Sequence, residues 1–419
     1  MPSVNINIAS IAPALKEMSD DVLRPQFEQA HEAYNLFAEG DGQFVNGKGF
    51  RIPSYLRPPT GITGGAEGFS FNQPGSFTLD DMYVYPYSVA QAFEITGDTL
   101  QNVGDSSSLI KGLRGIMEMV STALRKELNV QVFNDGSGLR ARAASVSGAT
   151  VTLQAAPGTT PGAEFGSTKG AYNMQVGEVY DFYQESDDTL LASGVRVTAK
   201  TATTVDTSPS IASVTAGDYF VPTGSLLKLP RGLAYIVNND TGIFQLQSRN
   251  TYPELKSVVT DLNGAAIAVA DFTKTKNLLQ VRSGGKAKKV LALLSFAQDD
   301  ALRRLGQNYK YFDGNAKSYD GSFDSFAHGD TVFRKDVDCD EDRIYLVVPT
   351  EIKRYTRRPF GVVDEDGNTL RMKSGSTGYG SDAFTGAIMV KYNLGTPEPR
   401  CHALIKRASV VGLANAASA

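Results

Sequence analysis

The chain of 419 residues has no tryptophan, only two cysteines and only three histidines. Two cysteines, Cys339 and Cys401, are too few for a disulfide framework, so reduced, partly buried thiols are expected. No histidine lies at zinc-ligand spacing from a cysteine, which argues against a zinc site. The sequence also lacks an apolar run of about 20 residues and a basic, apolar leader. Membrane insertion and secretion are therefore not expected, and the protein is predicted to be cytoplasmic when made.

The chain has no large excess of one charge, since 41 basic and 45 acidic residues leave a formal net charge of −4. No global positive field draws it onto nucleic acid or anionic lipid, and any contact with DNA must be local. Local basic clusters are more often solvated faces than phosphate sites. The candidates for a DNA-facing cluster are Lys286, Lys288 and Lys289.

The composition that is present, 41% hydrophobic, suits a chain of roughly two to four structural units. Residues 1–40, interrupted by Pro25, predict a short helix and an N-terminal arm rather than a core element. Residues 41–100 contain nine Gly, five Pro and ten Phe or Tyr. These residues include too many helix-breaking Gly and Pro for a helix, and too many aromatic residues for a disordered linker. This mixture predicts an extended two-stranded loop with strands over 50–56 and 82–95, and Pro86 indicates an edge or a bulge.

A long aromatic hairpin is only marginally stable alone, so the rest of the chain or a neighbouring copy is expected to cover it. Assembly into a lattice is therefore the leading interpretation. The candidate residues of an interface between subunits are Phe50, Arg51, Tyr55, Arg57, Phe69, Phe71, Tyr83 and Tyr85.

Beyond the loop, apolar residues at steps of three and four predict a long amphipathic helix over about 107–133. These residues are Leu109, Leu113, Ile116, Val120, Leu124 and Leu128. Short β runs then predict a small inserted barrel or sandwich. A strand over 290–294 follows, with Ser295 and Gln298 as a capping box for the next helix. The last part of the chain is β-rich.

Motifs for phosphate binding or nucleophilic catalysis are incomplete. Gly42, Gly47 and Lys48 have P-loop spacing, but Gly49 replaces the required hydroxyl and a strand follows instead of a helix. Residues 374–378 resemble a nucleophile elbow without its first glycine.

Motifs for metal binding are incomplete as well. Asp336, Asp338 and Asp340 begin like a calcium loop, but the turn glycine and the closing glutamate are missing, so a solvated acidic turn is predicted. Residues 364–367 predict a hairpin turn. The sequence therefore predicts no catalytic residue, no cofactor and no metal.

The order of these elements resembles the major capsid protein of tailed bacteriophages, whose fold is that of phage Hong Kong 97. The segments that carry the local resemblance are Gly232-Leu233-Ala234-Tyr235-Ile236-Val237, Leu246-Gln247-Ser248-Arg249 before Tyr252-Pro253, and Tyr392-Asn393-Leu394-Gly395 before residues 399–402. The resemblance implies an α+β, Hong Kong 97-like fold with an N-terminal arm, an extended β-hairpin loop, a long spine helix, peripheral and axial domains, and an inserted small β domain.

The implied division of the chain follows its element order. It gives an N-terminal arm (1–40), the extended loop (41–100), the spine helix of the peripheral domain (101–136), the inserted β-rich domain (137–235), a mixed α/β axial domain (236–345) and the β-rich C-terminal part of the peripheral domain (346–419).

The implied function is structural and not enzymatic. Hexamers and pentamers would form an icosahedral shell around double-stranded DNA, held by non-specific contacts, and would meet scaffolding, portal and decoration proteins. The location would be the virion capsid, assembled in the host cytoplasm. The Lys–Asn crosslink of the fold's namesake is not expected, because Lys48 is the loop's only lysine and lies near its base.

Two other classes remain open: a nanocompartment shell protein of the same fold, and a trimeric β-rich phage adhesin or glycan-binding protein. The length and the insertion weaken the first, and the absence of tryptophan weakens the second. A hydrolase is less favoured still, since it would require two carboxylates held at catalytic separation in a cleft.

Overall fold

The computed structural model describes residues 32–57, 62, 64–65, 67–70, 78–96, 106–154, 174–201, 203–211, 215–308, 327–328, 331–364, 371–374 and 380–408. Its helices are α1 (Glu32–Asn35), α2 (Ser106–Phe133), α3 (Leu233–Ile236), α4 (Val269–Arg282) and α5 (Phe296–Asn308). None of these helices combines the length and the apolar character that crossing a bilayer requires.

Within the described residues, twenty-one strands accompany the helices, so the predicted α+β class is confirmed. They are β1 (Gln43–Val45), β2 (Gly49–Arg57), β3 (Thr78–Val84), β4 (Tyr87–Thr96), β5 (Ala141–Ser147), β6 (Thr150–Leu153), β7 (Val179–Tyr183), β8 (Leu190–Lys200), β9 (Thr204–Ser208), β10 (Tyr219–Pro222), β11 (Ile243–Phe244), β12 (Gln247–Ser248), β13 (Val258–Asp261), β14 (Val290–Leu294), β15 (Ala327–His328), β16 (Thr331–Lys335), β17 (Ile344–Val347), β18 (Lys353–Val362), β19 (Arg371–Ser374), β20 (Gly380–Gly395) and β21 (Ala403–Lys406).

The extended loop is built on an antiparallel sheet in the order β1-β2-β3. Phe50 lies opposite Val84, and Tyr55 lies opposite Leu79. The single return strand predicted over 82–95 is wrong, because the chain leaves this sheet after Val84 and β4 pairs with β20 instead. Pro86 separates the two strands, since it has no N–H to continue a ladder.

The long strand β20 is the centre of the second sheet, with β4 on one side and β18 and β19 on the other. Helix α2 packs against β4 and β20. It begins one residue before the predicted start, and Leu124 and Leu128 are buried, while the side chains of Leu109 and Leu113 lie outside the described residues.

The start of the described chain packs into the same core. Tyr34 and Phe37 are 3% and 1% exposed, so the expectation that this segment adds nothing to a core is wrong for them. The Tyr34 ring meets the Tyr392 ring edge to face at 5.0 Å, which fixes α1 on β20. Residues 1–31 of the predicted arm lie outside the described residues.

Between α2 and α3 the chain forms a closed barrel in the order β10-β5-β6-β9-β8-β7. Of the two architectures that the sequence left open, the structure therefore has the barrel. Its interior contains Tyr180, Phe182 and Phe220, with the last two rings 4.7 Å apart. Because the barrel is closed, each of these six strands pairs with a neighbour on both sides.

The remaining sheet has six strands in the order β13-β21-β17-β14-β16-β15, with α4 against β13 and β21. Strand β14 has the predicted bounds, and Ser295 accepts a hydrogen bond from the Gln298 N–H at 3.2 Å, which caps α5. The reciprocal half of the predicted capping box is absent, because the Gln298 side chain donates to the Glu341 carbonyl at 2.8 Å instead. On the same helix, Arg303 pairs with Asp299 one turn earlier at 2.8 Å.

The prediction of a solvated acidic turn at 336–340 is wrong. Asp338 and Asp340 are 6% and 7% exposed. Asn129 of α2 donates to Asp336 at 3.0 Å and to Asp338 at 2.6 Å, which compensates their burial. The run therefore joins the six-stranded sheet to α2 instead of facing water.

Candidate assembly interface

The three segments that carry the sequence resemblance meet at the base of the extended loop. We call this region the loop root and define it by Asp81, Tyr83 and Tyr85 of the loop and the residues that hold them. Segments 231–237, 245–249 and 392–395 each contribute a contact to it. Because these segments are far apart in the chain, only folding brings them together.

Gly232 sets how closely the first segment approaches the end of α2. A Cβ atom at this position would lie 2.2 Å from the Val132 carbonyl oxygen and 2.3 Å from that of Gln131. Only glycine fits between these backbones, and its own N–H donates to the Asn134 carbonyl at 2.8 Å. The segment that follows is thereby fixed to α2.

Asn393 joins that segment to the loop. Its Oδ1 accepts the Arg231 N–H at 2.8 Å, and its Nδ2 donates to the Tyr85 carbonyl at 2.7 Å. The side chain is 3% exposed, so these bonds compete little with water. The chain is thus held where it turns from β3 into β4.

Arg249 is 1% exposed and holds α3 against the chain after β12. Its Nη2 donates to the carbonyls of Tyr235 and Ile236 at 2.9 and 3.1 Å, and its Nε donates to that of Leu255 at 3.3 Å. Its Nη1 pairs with Asp240 at 2.7 Å. A buried guanidinium with this many acceptors organises the surrounding backbone.

The small hairpin of β11 and β12 covers the edge of β3. The Tyr83 N–H donates to the Gln245 carbonyl at 3.1 Å, and Gln247 Nε2 donates to the Asp81 carbonyl at 3.0 Å. The two turn residues, Gln245 and Leu246, have φ of 49° and 69°. Such turns usually contain Asn or Gly, so the hairpin had no recognisable turn signal in the sequence.

The tip of the loop contrasts with its root. Ile62 is 97% exposed and Phe69 is 45% exposed. Phe71 lies outside the described residues. Large apolar side chains in this position offer a contact surface to a partner. The sequence analysis missed Ile62, because an isolated isoleucine between Gly and Thr carries no periodic pattern.

The other predicted interface residues of β2 differ in accessibility. Phe50 is 8% exposed and packs on Tyr355, so we remove it from the proposed interface. Arg51 is exposed and pairs with Asp81 at 2.7 Å. Arg57 is exposed and donates to the Thr251 carbonyl at 3.1 Å. The side chain of Tyr55 lies outside the described residues.

The predicted residues of β3 and the chain after it lie near the root. Tyr83 is half-buried and lies under the Lys48 ammonium, which is 5.2 Å from the ring centre. Tyr85 is 46% exposed, and its ring meets that of Tyr87 at 5.3 Å. Both tyrosines therefore stay in the proposed interface, on the root side of the loop.

The predicted basic cluster lies elsewhere, where the chain enters β14. Lys286, Lys288 and Lys289 are all exposed. Lys286 forms an ion pair with Glu398. The three lysines rim a groove whose other side is formed by Leu36 and Val348.

Groups with potential chemistry are held in inert environments. Burial lowers the pKa of His402 to about 3, and its Nδ1 accepts the Val348 N–H at 3.3 Å. Burial, with Glu398 nearby, raises the pKa of the Cys401 thiol to about 12. Cys339 is also buried, and its Sγ donates to the carbonyls of Asp340 and Arg343. The described residues contain no group of three His, Cys, Asp or Glu side chains placed to hold a metal ion.

No protein-family model matches the chain. No curated protein matches it either. Among solved structures, the chain is similar to the capsid asymmetric unit of cyanophage A-1(L), at 14% identity and a TM-score of 0.49, over 89% of this chain and 91% of that chain.

Two further solved structures align over most of both chains. The capsid of a native GTA particle has 10% identity and a TM-score of 0.48, over 91% of this chain and 92% of that chain. The structure from Mycobacterium phage Bobi has 9% identity and a TM-score of 0.43, over 96% of this chain and 99% of that chain.

Proposed function

We propose that this protein is the structural subunit of a phage capsid, assembling into pentamers and hexamers that form an icosahedral shell around double-stranded DNA. The observation that carries the proposal is the extended loop, whose root is held by buried polar contacts and whose tip presents Ile62 and Phe69 to solvent. A role as an enzyme is not proposed.

The physical reason lies in the geometry of the loop. Strand β2 has nine residues, which span about 30 Å at the rise of an antiparallel strand. A rigid root fixes where this arm points, so its apolar tip reaches a defined place on a second copy. A contact between two different surfaces of identical subunits generates closed rings when the rotation closes.

The partners follow from the same proposal. Scaffolding, portal and decoration proteins would meet the assembled shell, and packaged DNA would be held through non-specific phosphate contacts. The location would be the virion capsid, after assembly in the host cytoplasm. We also propose the division into arm, loop, spine helix, inserted domain, axial domain and peripheral domain given above.

The test is sedimentation velocity of the purified protein, with negative-stain images of any fast fraction. We expect the unchanged protein to form rings of five or six subunits, or closed shells. The double variant Ile62→Ser with Phe69→Ser should stay folded but lose these species, because burial of the tip drives the contact. The matched control is Leu190→Ser on the barrel, which is 48% exposed and outside the loop.

Four results would contradict the proposal. A stable trimer under all salt and scaffold conditions would favour the adhesin class. A stable monomer would remove the assembly function. Shells that form equally well from the tip variant would show that the loop tip is not the contact. Shells that enclose protein instead of DNA would favour a nanocompartment.

A further inference from the structure

A groove of about 1020 Å³ lies between α1 and the six-stranded sheet, away from the extended loop. Its walls are apolar and are formed mainly by Leu36, Val290, Leu291, Val332 and Val348. Its volume is at the upper end of the roughly 300–1,000 Å³ that small-molecule sites occupy, so it can take several side chains. It contains none of the polar groups proposed for assembly.

The groove combines apolar and basic character. Val332 is 61% exposed although it lies on a strand of the sheet. Lys286, Lys288 and Lys289 stand on the rim. Lys286 pairs with Glu398, whereas Lys288 and Lys289 have no ion pair within the described part of the chain. An occupant should therefore carry both apolar side chains and carboxylates.

A segment with this chemistry precedes α1 in the same chain. Residues 1–31 contain four acidic and two basic residues. Leu15, Met18 and Val22 follow each other at steps of three and four, and the acidic residues Glu17, Asp20 and Asp21 lie between them. If the segment is helical, this spacing puts the three apolar residues on one face with Asp21 beside it, whereas Glu17 and Asp20 lie on the opposite side.

Chain connectivity allows this segment to reach the groove. The described chain begins with α1, and Leu36, directly after that helix, is part of the groove wall. Val22 precedes Leu36 by 14 residues, which span about 20 Å even as a helix. A tethered segment has an effective concentration in the millimolar range, which favours it over a free competitor.

We infer that residues 15–28 of this chain dock in the groove, with Leu15, Met18 and Val22 against its apolar wall and the Asp21 carboxylate near Lys288 and Lys289. The inference does not depend on shell formation. It assigns the lysines to a contact within the chain, whereas DNA would engage the lysines alone and leave the apolar wall exposed.

The test uses the full chain and a carbodiimide, which joins a carboxylate to an amine only where the two are in contact. The Lys286–Glu398 pair serves as the internal positive control. We expect crosslinked peptides that join Lys288 or Lys289 to Asp21. In an equal mixture of ¹⁵N-labelled and unlabelled protein, these peptides should be entirely heavy or entirely light.

A substitution in the apolar wall separates docking from simple charge attraction. Val332→Asp should lower the yield of these crosslinks about tenfold, the factor that corresponds to about 1.4 kcal/mol. Val281→Asp on α4 is the matched control, because Val281 is 78% exposed and outside the groove. It should leave the yield unchanged, and both variants should retain the Lys286–Glu398 crosslink.

Several outcomes would overturn the inference. Mixed heavy and light peptides would assign the groove to the segment of a second copy. Absence of these crosslinks while the positive control forms would show that the segment does not dock. Loss of the crosslinks on adding double-stranded DNA, with no effect of Val332→Asp, would assign the lysines to phosphate binding. Since none of these readouts measures shell formation, a failure here is distinguishable from a failure of the capsid proposal.

Discussion

The root and the tip of the extended loop belong to one β ribbon but differ in what surrounds their side chains. At the root, Asn393 and Arg249 are 3% and 1% exposed and satisfy backbone groups from several segments. At the tip, Ile62 and Phe69 face solvent. The difference teaches that the fold of a single chain specifies one end of the arm, while at the other end it leaves large apolar side chains exposed.

The largest loss of folding stability is expected from Arg249→Met. Methionine keeps the apolar stem but leaves buried carbonyls, including those of Tyr235 and Leu255, without a donor. The free energy of unfolding should fall by about 3–5 kcal/mol, measured by urea denaturation. Arg57→Met is the control on the exposed side of the loop and should cost at most about 1 kcal/mol. Equal losses for the two variants would contradict the comparison.

Gly232→Ala should have the next largest effect. The new methyl group would lie 2.2 Å from the Val132 carbonyl oxygen, so α3 must move away from α2. We expect a loss of about 1–3 kcal/mol in thermal or urea unfolding. Gly361→Ala is the matched control, since a Cβ atom there meets nothing within 4 Å. A neutral Gly232→Ala would show that the root is not held by this close approach.

The free energy of unfolding is expected to depend on pH through Asp342, a buried residue outside the loop. This residue tests whether burial of a polar side chain always stabilises the fold. Burial raises the pKa of Asp342 to about 6, despite the opposing effect of Arg343. Because the folded-state pKa lies above the unfolded value, the protonated form favours folding. The free energy of unfolding should therefore be about 1 kcal/mol larger at pH 5 than at pH 7. This contribution is present below pH 6 and is lost as the pH rises through about 6.

The measurement for Asp342 is urea unfolding at both pH values, compared with Asp342→Asn, in which this contribution should disappear. Asp340, 3.6 Å from the Arg343 guanidinium, is the other carboxylate that faces the same charge. His402 does not contribute in this range, because burial keeps its pKa near 3. An identical pH dependence in the protein and the variant would exclude Asp342 as the source.

The smallest effect on folding is expected at the tip. Ile62→Ser should change the free energy of unfolding by less than about 0.5 kcal/mol, since the side chain is 97% exposed. The same change should reduce the fast-sedimenting fraction. A large loss of stability in the isolated subunit would mean that the tip packs within its own chain, and the contrast with the root would fail.

The sequence predicted those elements that depend on local patterns. The 3.6-residue spacing of apolar residues predicted the bounds of α2 within one residue. A short apolar run predicted the bounds of β14. The hydrogen bond by which Ser295 caps α5 joins residues three positions apart, so it too could be predicted from neighbouring residues. Of the predicted loop residues, Phe69 and Tyr85 are accessible, whereas Phe50 is buried.

The sequence by itself thus determined the class of the fold, the order of its elements and the presence of an aromatic loop, because periodicity and turn chemistry act over a few residues. Only the tertiary structure decided that β4 leaves the loop for β20, that Asp338 is buried against Asn129, and that Arg249 holds α3. Each of these depends on partners distant in the chain, and the free energy of burying a polar group is set by those partners rather than by its neighbours in sequence.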